Sequence, residues 1–193
     1  MPRLGDDVGR VLGAIWPASV GALAVVYANV GAGDWARRSA IGWMMGSWGA
    51  RLTVQALYAP GARDLSKPTP VTSYFGLLTS AAFFSMPAAF ASLDVNPSLT
   101  TLELAASALW VIAFAAQTTA DRQFLRFVSN PGHAGVVCRS GLWRYSSHAH
   151  AMFEVLIWVA FALFASASPW GWLALACVPA RVALLLARTD PGT

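Results

Sequence analysis

The stretch AHAMFEVLIWVAFALFASA, Ala149–Ala167, decides the fold. At about 1.5 Å per residue, a helix over it covers the hydrocarbon thickness of a bilayer, about 30 Å. Apolar side chains fall on every side of such a helix, whereas a helix on a water-soluble surface keeps a polar face. Only His150 and Glu154 within it can ionise. Working outward, the same reading gives spans over 11–30, 39–58, 71–93, 102–120, 149–167 and 170–187. The breaks hold Gly31-Ala32-Gly33-Asp34, Pro60-Gly61, Asn96-Pro97 and Pro131-Gly132, turn formers placed where backbone groups can reach water. The expected fold is all-α, a polytopic transmembrane bundle of about six helices forming one membrane domain over 1–193.

Composition agrees. Of 193 residues, 56% are hydrophobic and 11% charged, against about 25% charged in soluble domains. A fold this small leaves much of its surface exposed, which excludes a water-soluble monomer. The basic residues sort by side. Nine of them (Arg3, Arg10, Arg63, Lys67, Arg122, Arg126, Arg139, Arg144 and Arg188) fall in the two tails and the 2–3 and 4–5 loops, and only Arg37 and Arg38 fall in the 1–2 loop. Positive residues mark the cytoplasmic side, so both termini are expected there. MPRLGDDVGR lacks a small-residue cleavage site and reads as a cytoplasmic tail on a retained helix. Trp35, Trp143, Trp170 and Trp172 stand near span ends, as interfacial tryptophans do. Cys138 and Cys177 are far apart and make no disulfide framework.

Ionisable groups inside a membrane need a partner or a task. Arg51 reads either as a residue snorkelling to the cytoplasmic interface or as a paired group. Arg181 reads as snorkelling at the C-terminal end of the last span. Glu154 follows His150 by four residues, so the two share a helix face, and it either fixes packing or takes part in chemistry. Thr100-Thr101-Leu102-Glu103 fits a capping box opening the fourth span. Arg122 and Arg126 would share a face if that span continues into the cytoplasm, where they could hold phosphate or simply flank the membrane. No metal site is expected. His148 and His150 diverge by about 200° on a helix, His133 is the only other histidine, and zinc sites need three or four converging ligands. Walker, dinucleotide-fingerprint and nucleophile-elbow sequences are absent, and no surface for nucleic acid is legible.

Gly141-Leu142-Trp143-Arg144-Tyr145-Ser146, followed by His148 and Glu154, resembles the steroid 5-alpha-reductase-like membrane family in its bacterial DUF1295 branch. Trp48-Gly49-Ala50-Arg51-Leu52 and Ala120-Asp121-Arg122-Gln123 with Phe127 are similar to two further strings of that branch, in the same order. The resemblance implies a helical membrane protein of the bacterial cytoplasmic membrane. It implies a cofactor cavity open to the cytoplasm and reduction by NADPH of a carbon–carbon double bond conjugated to a carbonyl, in a steroid-like or other lipid. It implies Glu154 and Tyr145 as catalytic residues and Arg51, Asp121, Arg126, Arg144, His148 and His150 as cofactor ligands. Where the family carries Arg-His-Pro-Asn-Tyr, this chain reads Ser147-His148-Ala149-His150-Ala151. A divergent and shortened member is therefore expected. Two alternatives stand beside the reductase. One is a catalytically impaired relative that binds lipid or stabilises a membrane-protein partner, with homo-oligomerisation open. The other is an S-adenosylmethionine-dependent methyltransferase of the isoprenylcysteine carboxyl methyltransferase type.

Overall fold

A computed structural model describes residues 4–58, 74–130, 132, 136, 138–146 and 148–189. Outside them lie the 2–3 loop with Pro60-Gly61, Arg63 and Lys67, and also Arg3, Pro131, His133, Ser147 and Asp190–Thr193. The side chains of Arg10 and Arg188 are likewise outside the description.

Among the described residues the chain is all-helical. Its α-helices are α1 (Leu4–Val30), α2 (Trp35–Tyr58), α3 (Tyr74–Phe84), α4 (Met86–Ala91), α5 (Thr101–Val128), α6 (Ala149–Ser166) and α7 (Cys177–Thr189). Short 3₁₀ segments cover Gly141–Arg144 and Gly171–Ala176. Three helices contain stretches long and apolar enough to cross a membrane: Gly13–Val30, Thr101–Val128 and Ala149–Ser166.

Several boundaries differ from the sequence reading, each for a local reason. The second helix opens at Trp35 because Asp34 caps it, its Oδ1 accepting from the backbone N–H of Ala36 at 3.0 Å and Arg37 at 3.3 Å. Arg37 and Arg38 are therefore helix residues. The third span is two helices, divided at Ser85, with Pro87 in the first turn of α4, where its missing N–H costs nothing. The last span starts as a 3₁₀ segment. Gly171 lies so close to the end of α6 that a Cβ there would meet the Ala165 carbonyl. α5 continues through Val128, well past Ala120, which carries Asp121, Arg122 and Arg126 as helix residues.

α6 is the central element. Ile157, Trp158, Phe161 and Phe164 on it are fully buried. Trp16, Trp48, Phe84, Trp158 and Phe161 meet around it edge to face, with ring centroids 4.9–6.2 Å apart, the geometry aromatic quadrupoles prefer. α5 packs against α6 through Ala106, Ala113, Gln117 and Ala120. Small residues on that face let the two backbones approach.

α1 and α2 meet through glycines. A Cβ on Gly49 would stand 2.6 Å from the Pro17 carbonyl oxygen and 2.9 Å from the Gly21 Cα. Both obstacles are backbone, so they cannot rotate away. Gly49→Ala is expected to push the helices apart and destabilise the protein by about 1–3 kcal/mol, the usual range for overpacking. Thermal unfolding in detergent, with the exposed Ala50→Val as control, checks this. Equal melting of both variants would remove the α1–α2 seam from the account.

Candidate functional site

Polar residues contributed by α2, α5, α6 and α7 join in one connected network. Glu154, fully buried, lies at its inner end. Its Oε1 accepts from Trp158 Nε1 at 3.1 Å and from Arg181 Nε and NH2 at 3.2 and 2.8 Å. Its Oε2 accepts from Gln117 Nε2 at 2.7 Å and Trp48 Nε1 at 3.3 Å. Five N–H groups thus saturate both oxygens, which fixes Glu154 as an acceptor. The Arg181 guanidinium also lies over the Trp16 ring, 4.9 Å from its centroid. Arg181 does not snorkel. It is buried, because a carboxylate one helix away is a better partner than the distant interface.

Gln117 carries the network on. Its Oε1 accepts from Arg51 NH2, and Arg51 NH1 pairs with Asp121 Oδ2. Gln55 Nε2 donates to the same Asp121 oxygen, and His150 Nδ1 lies 2.6 Å from Asp121 Oδ1. Arg51 is therefore a paired group. Its guanidinium covers the Phe114 ring at 5.2 Å. At this outer end the side chains reach solvent, 12% exposed for Arg51 and Asp121 and 24% for His150.

The second cluster is built by the Gly141–Arg144 segment docking on α5. Gln123 Oε1 accepts from the Leu142 N–H at 2.8 Å, and Trp143 Nε1 donates to the Ala120 carbonyl at 2.9 Å. Gly141 has φ +59°, a conformation that favours glycine, and a Cβ there would displace the amide end of Gln123. The Trp143 ring packs on Phe124 at 5.0 Å. This docking leaves an open depression of about 550 Å³ whose lining includes Thr119, Gln123, Arg144 and Tyr145.

The sites read from sequence therefore divide. Arg51, Asp121, His150 and Glu154 meet on the inward flank of α5, from which Gln117 and Asp121 project. Arg144 and Tyr145 line the depression on its outward flank, beside Ala116, Thr119 and Gln123. At about 100° per residue the two sets of α5 positions lie well over a quarter-turn apart. Arg126 is exposed on the outward side, and His148 is exposed at the start of α6. Sequence reasoning passed over Gln117, Gln55, Trp48 and Trp158 as network members. The available signal was an amide, Gln117, in the middle of an apolar helix, where it needs a partner.

A third polar cluster closes the opposite end of the bundle. Arg37, fully buried, forks onto both Glu103 oxygens and donates to the carbonyls of Asn96 at 2.7 Å and Ser98 at 2.8 Å. Thr100 and Glu103 form the capping box read from the sequence.

No curated protein and no solved structure matches the chain. The profile of the family of proteins of unknown function DUF1295 matches residues 72–190, which takes in α3 to α7, the docked Gly141–Arg144 segment and every site residue read from the sequence but Arg51. The chain belongs to the DUF1295 family.

Proposed function

We propose that this protein is an NADPH-dependent membrane reductase of the steroid 5-alpha-reductase-like type, acting on a conjugated carbon–carbon double bond in a lipid. Its place is the bacterial cytoplasmic membrane, with both termini in the cytoplasm. One observation carries this reading. Arg51, Asp121 and the His150–Glu154 pair come from three separated motifs, and they join in one network whose outer end reaches solvent.

The donors left over at that end suit an anionic, hydroxyl-rich cofactor. Arg51 Nε is buried without a partner. The second ring nitrogen of His150 stands opposite the one held by Asp121. In this reading Arg51 holds phosphate, Asp121 accepts from ribose hydroxyls, and His148 flanks the entry. Bound NADPH would supply a hydride to the β-carbon of the conjugated system. The chain supplies the proton for the α-carbon, from Nε2 of His150, with Asp121 holding Nδ1. Glu154, with both oxygens spent, positions Gln117 and through it Arg51.

Quenching of tryptophan fluorescence during NADPH titration of detergent-purified protein tests this. Saturable quenching is expected, with affinity reduced about tenfold or more in Arg51→Lys, which keeps the charge and loses the fork. An absence of saturation at millimolar NADPH would refute the reading, as would stabilisation by S-adenosylhomocysteine in place of NADPH. The saturation of Glu154 favours one second reading, a catalytically silent relative that binds lipid or a membrane partner. It predicts that His150→Ala changes stability with no turnover to lose.

A further inference from the structure

The depression on the outward flank of α5 has no part in that network. Its polar lining is cationic or neutral. Neither Arg144 nor Tyr145, the latter 83% exposed, has a side-chain partner among the described residues. Gln123 has its oxygen committed to the Leu142 N–H, so its amide nitrogen is the atom left to donate. Arg122, Arg126 and Arg139 are exposed nearby in sequence. Asp121, the carboxylate of this helix end, is spent on Arg51, Gln55 and His150. Among the described residues, the flank thus offers positive charge and hydrogen-bond donors with no acid to neutralise them.

Its position selects the ligand. The depression lies where α5 passes from its apolar to its basic part. Ala116 at its floor continues a stripe along the same flank through Ile112, Leu109 and Ala105, at helical spacings of four, three and four. Ile112 on this stripe is 67% exposed. The stripe runs about 16 Å from Ala116 to Ala105 at the helical rise. The donors themselves are held rigidly, because Gly141, Leu142 and Trp143 lock the segment onto α5.

We infer that this depression binds the headgroup of an anionic phospholipid, with an acyl chain along the Ala116–Ile112–Ala105 stripe. Arg144 takes the phosphate with charge-assisted hydrogen bonds, joined by Tyr145 and the Gln123 amide. The inference stands apart from the reductase reading, whose residues occupy the other flank of α5.

The test is retention of phosphatidylglycerol by native mass spectrometry, after extraction of the protein from mixed phosphatidylcholine and phosphatidylglycerol nanodiscs. Wild-type protein is expected to retain phosphatidylglycerol preferentially. Arg144→Gln is expected to lower retention about tenfold, within the range of one charged hydrogen bond. Thr119→Trp, which fills the depression and leaves every charge in place, is expected to lower it comparably. Arg139→Gln, outside the lining, should leave it unchanged. Equal losses in Arg139→Gln and Arg144→Gln would mean diffuse attraction and overturn the proposal. So would full retention in Thr119→Trp, or equal competition by glycerol 3-phosphate, which would make the ligand a soluble phosphate. NADPH titration of Thr119→Trp keeps the two readings separate, since that substitution leaves every residue of the inward network in place.

Discussion

Glu154→Ala is expected to destabilise the protein by about 3–5 kcal/mol, the cost of leaving one member of a buried ion pair without the other. Five N–H groups on four side chains converge on this carboxylate, and Arg181 is buried with it. With alanine in its place the Arg181 guanidinium keeps, among the described residues, the Trp16 ring alone, and the indoles of Trp48 and Trp158 lose their acceptor in the middle of the aromatic core. Glu154→Gln should be milder yet still clearly destabilising, since its amide nitrogen would face donors on either side. The decisive variant is the double Glu154→Leu with Arg181→Leu. It removes both charges together and should be less harmful than the sum of its parts, because the single substitutions each strand a charge. Thermal or denaturant unfolding in detergent micelles reads these variants and the two single leucine substitutions. Strict additivity of the two leucine substitutions would mean that the charges do not support one another.

What the sequence made legible here was what is local. The apolar run from Ala149 announced α6, and Thr100 with Glu103 announced the start of α5, because hydropathy and capping act over a few residues. The partners were not legible. Glu154 and Arg181 are 27 residues apart, and Arg37 and Glu103 are 66 apart. No local pattern encodes which charge a buried charge will meet. Glu103 shows the difficulty most clearly. Its capping role was correct and by itself sufficient, and so it concealed the ion pair made by the same carboxylate. Arg37 looked like a loop residue because Asp34 read as part of a turn, when it caps the helix. The division of the candidate site had a related cause. The Asp121-containing string and the Gly141-containing string do meet, but through the side chain of Gln123, which lies across α5 from Asp121, and the backbone carbonyl of Ala120. Motif order along the chain carries no information about helix face.

That dual use of Glu103 makes the second large effect separable by substitution. Thr100→Ala removes the cap and leaves the ion pair, and should cost about 1 kcal/mol. Glu103→Leu removes the ion pair and the carboxylate half of the capping box, while the Thr100 Oγ1 bond to the backbone N–H of position 103 stays; it strands a guanidinium that is fully buried against α5 and should cost about 3–5 kcal/mol. Glu103→Gln falls between them. Its side-chain oxygen can still accept, but the charge facing Arg37 is gone, and Asp94 Oδ1, 3.6 Å from Arg37 NH1, is the carboxylate that remains. The same guanidinium also holds the carbonyls of Asn96 and Ser98, and Gly33 and Asp34 donate to the carbonyls of Ser92 and Asp94 at 2.9 and 2.8 Å. Loss of the pair should therefore loosen both connections at this end of the bundle together. Amide exchange should rise at Gly33, Asp34 and the first turn of α5 in Glu103→Leu, and only in that first turn in Thr100→Ala. Equal exchange patterns in the two variants would reduce Glu103 to a helix cap and leave the burial of Arg37 without its partner.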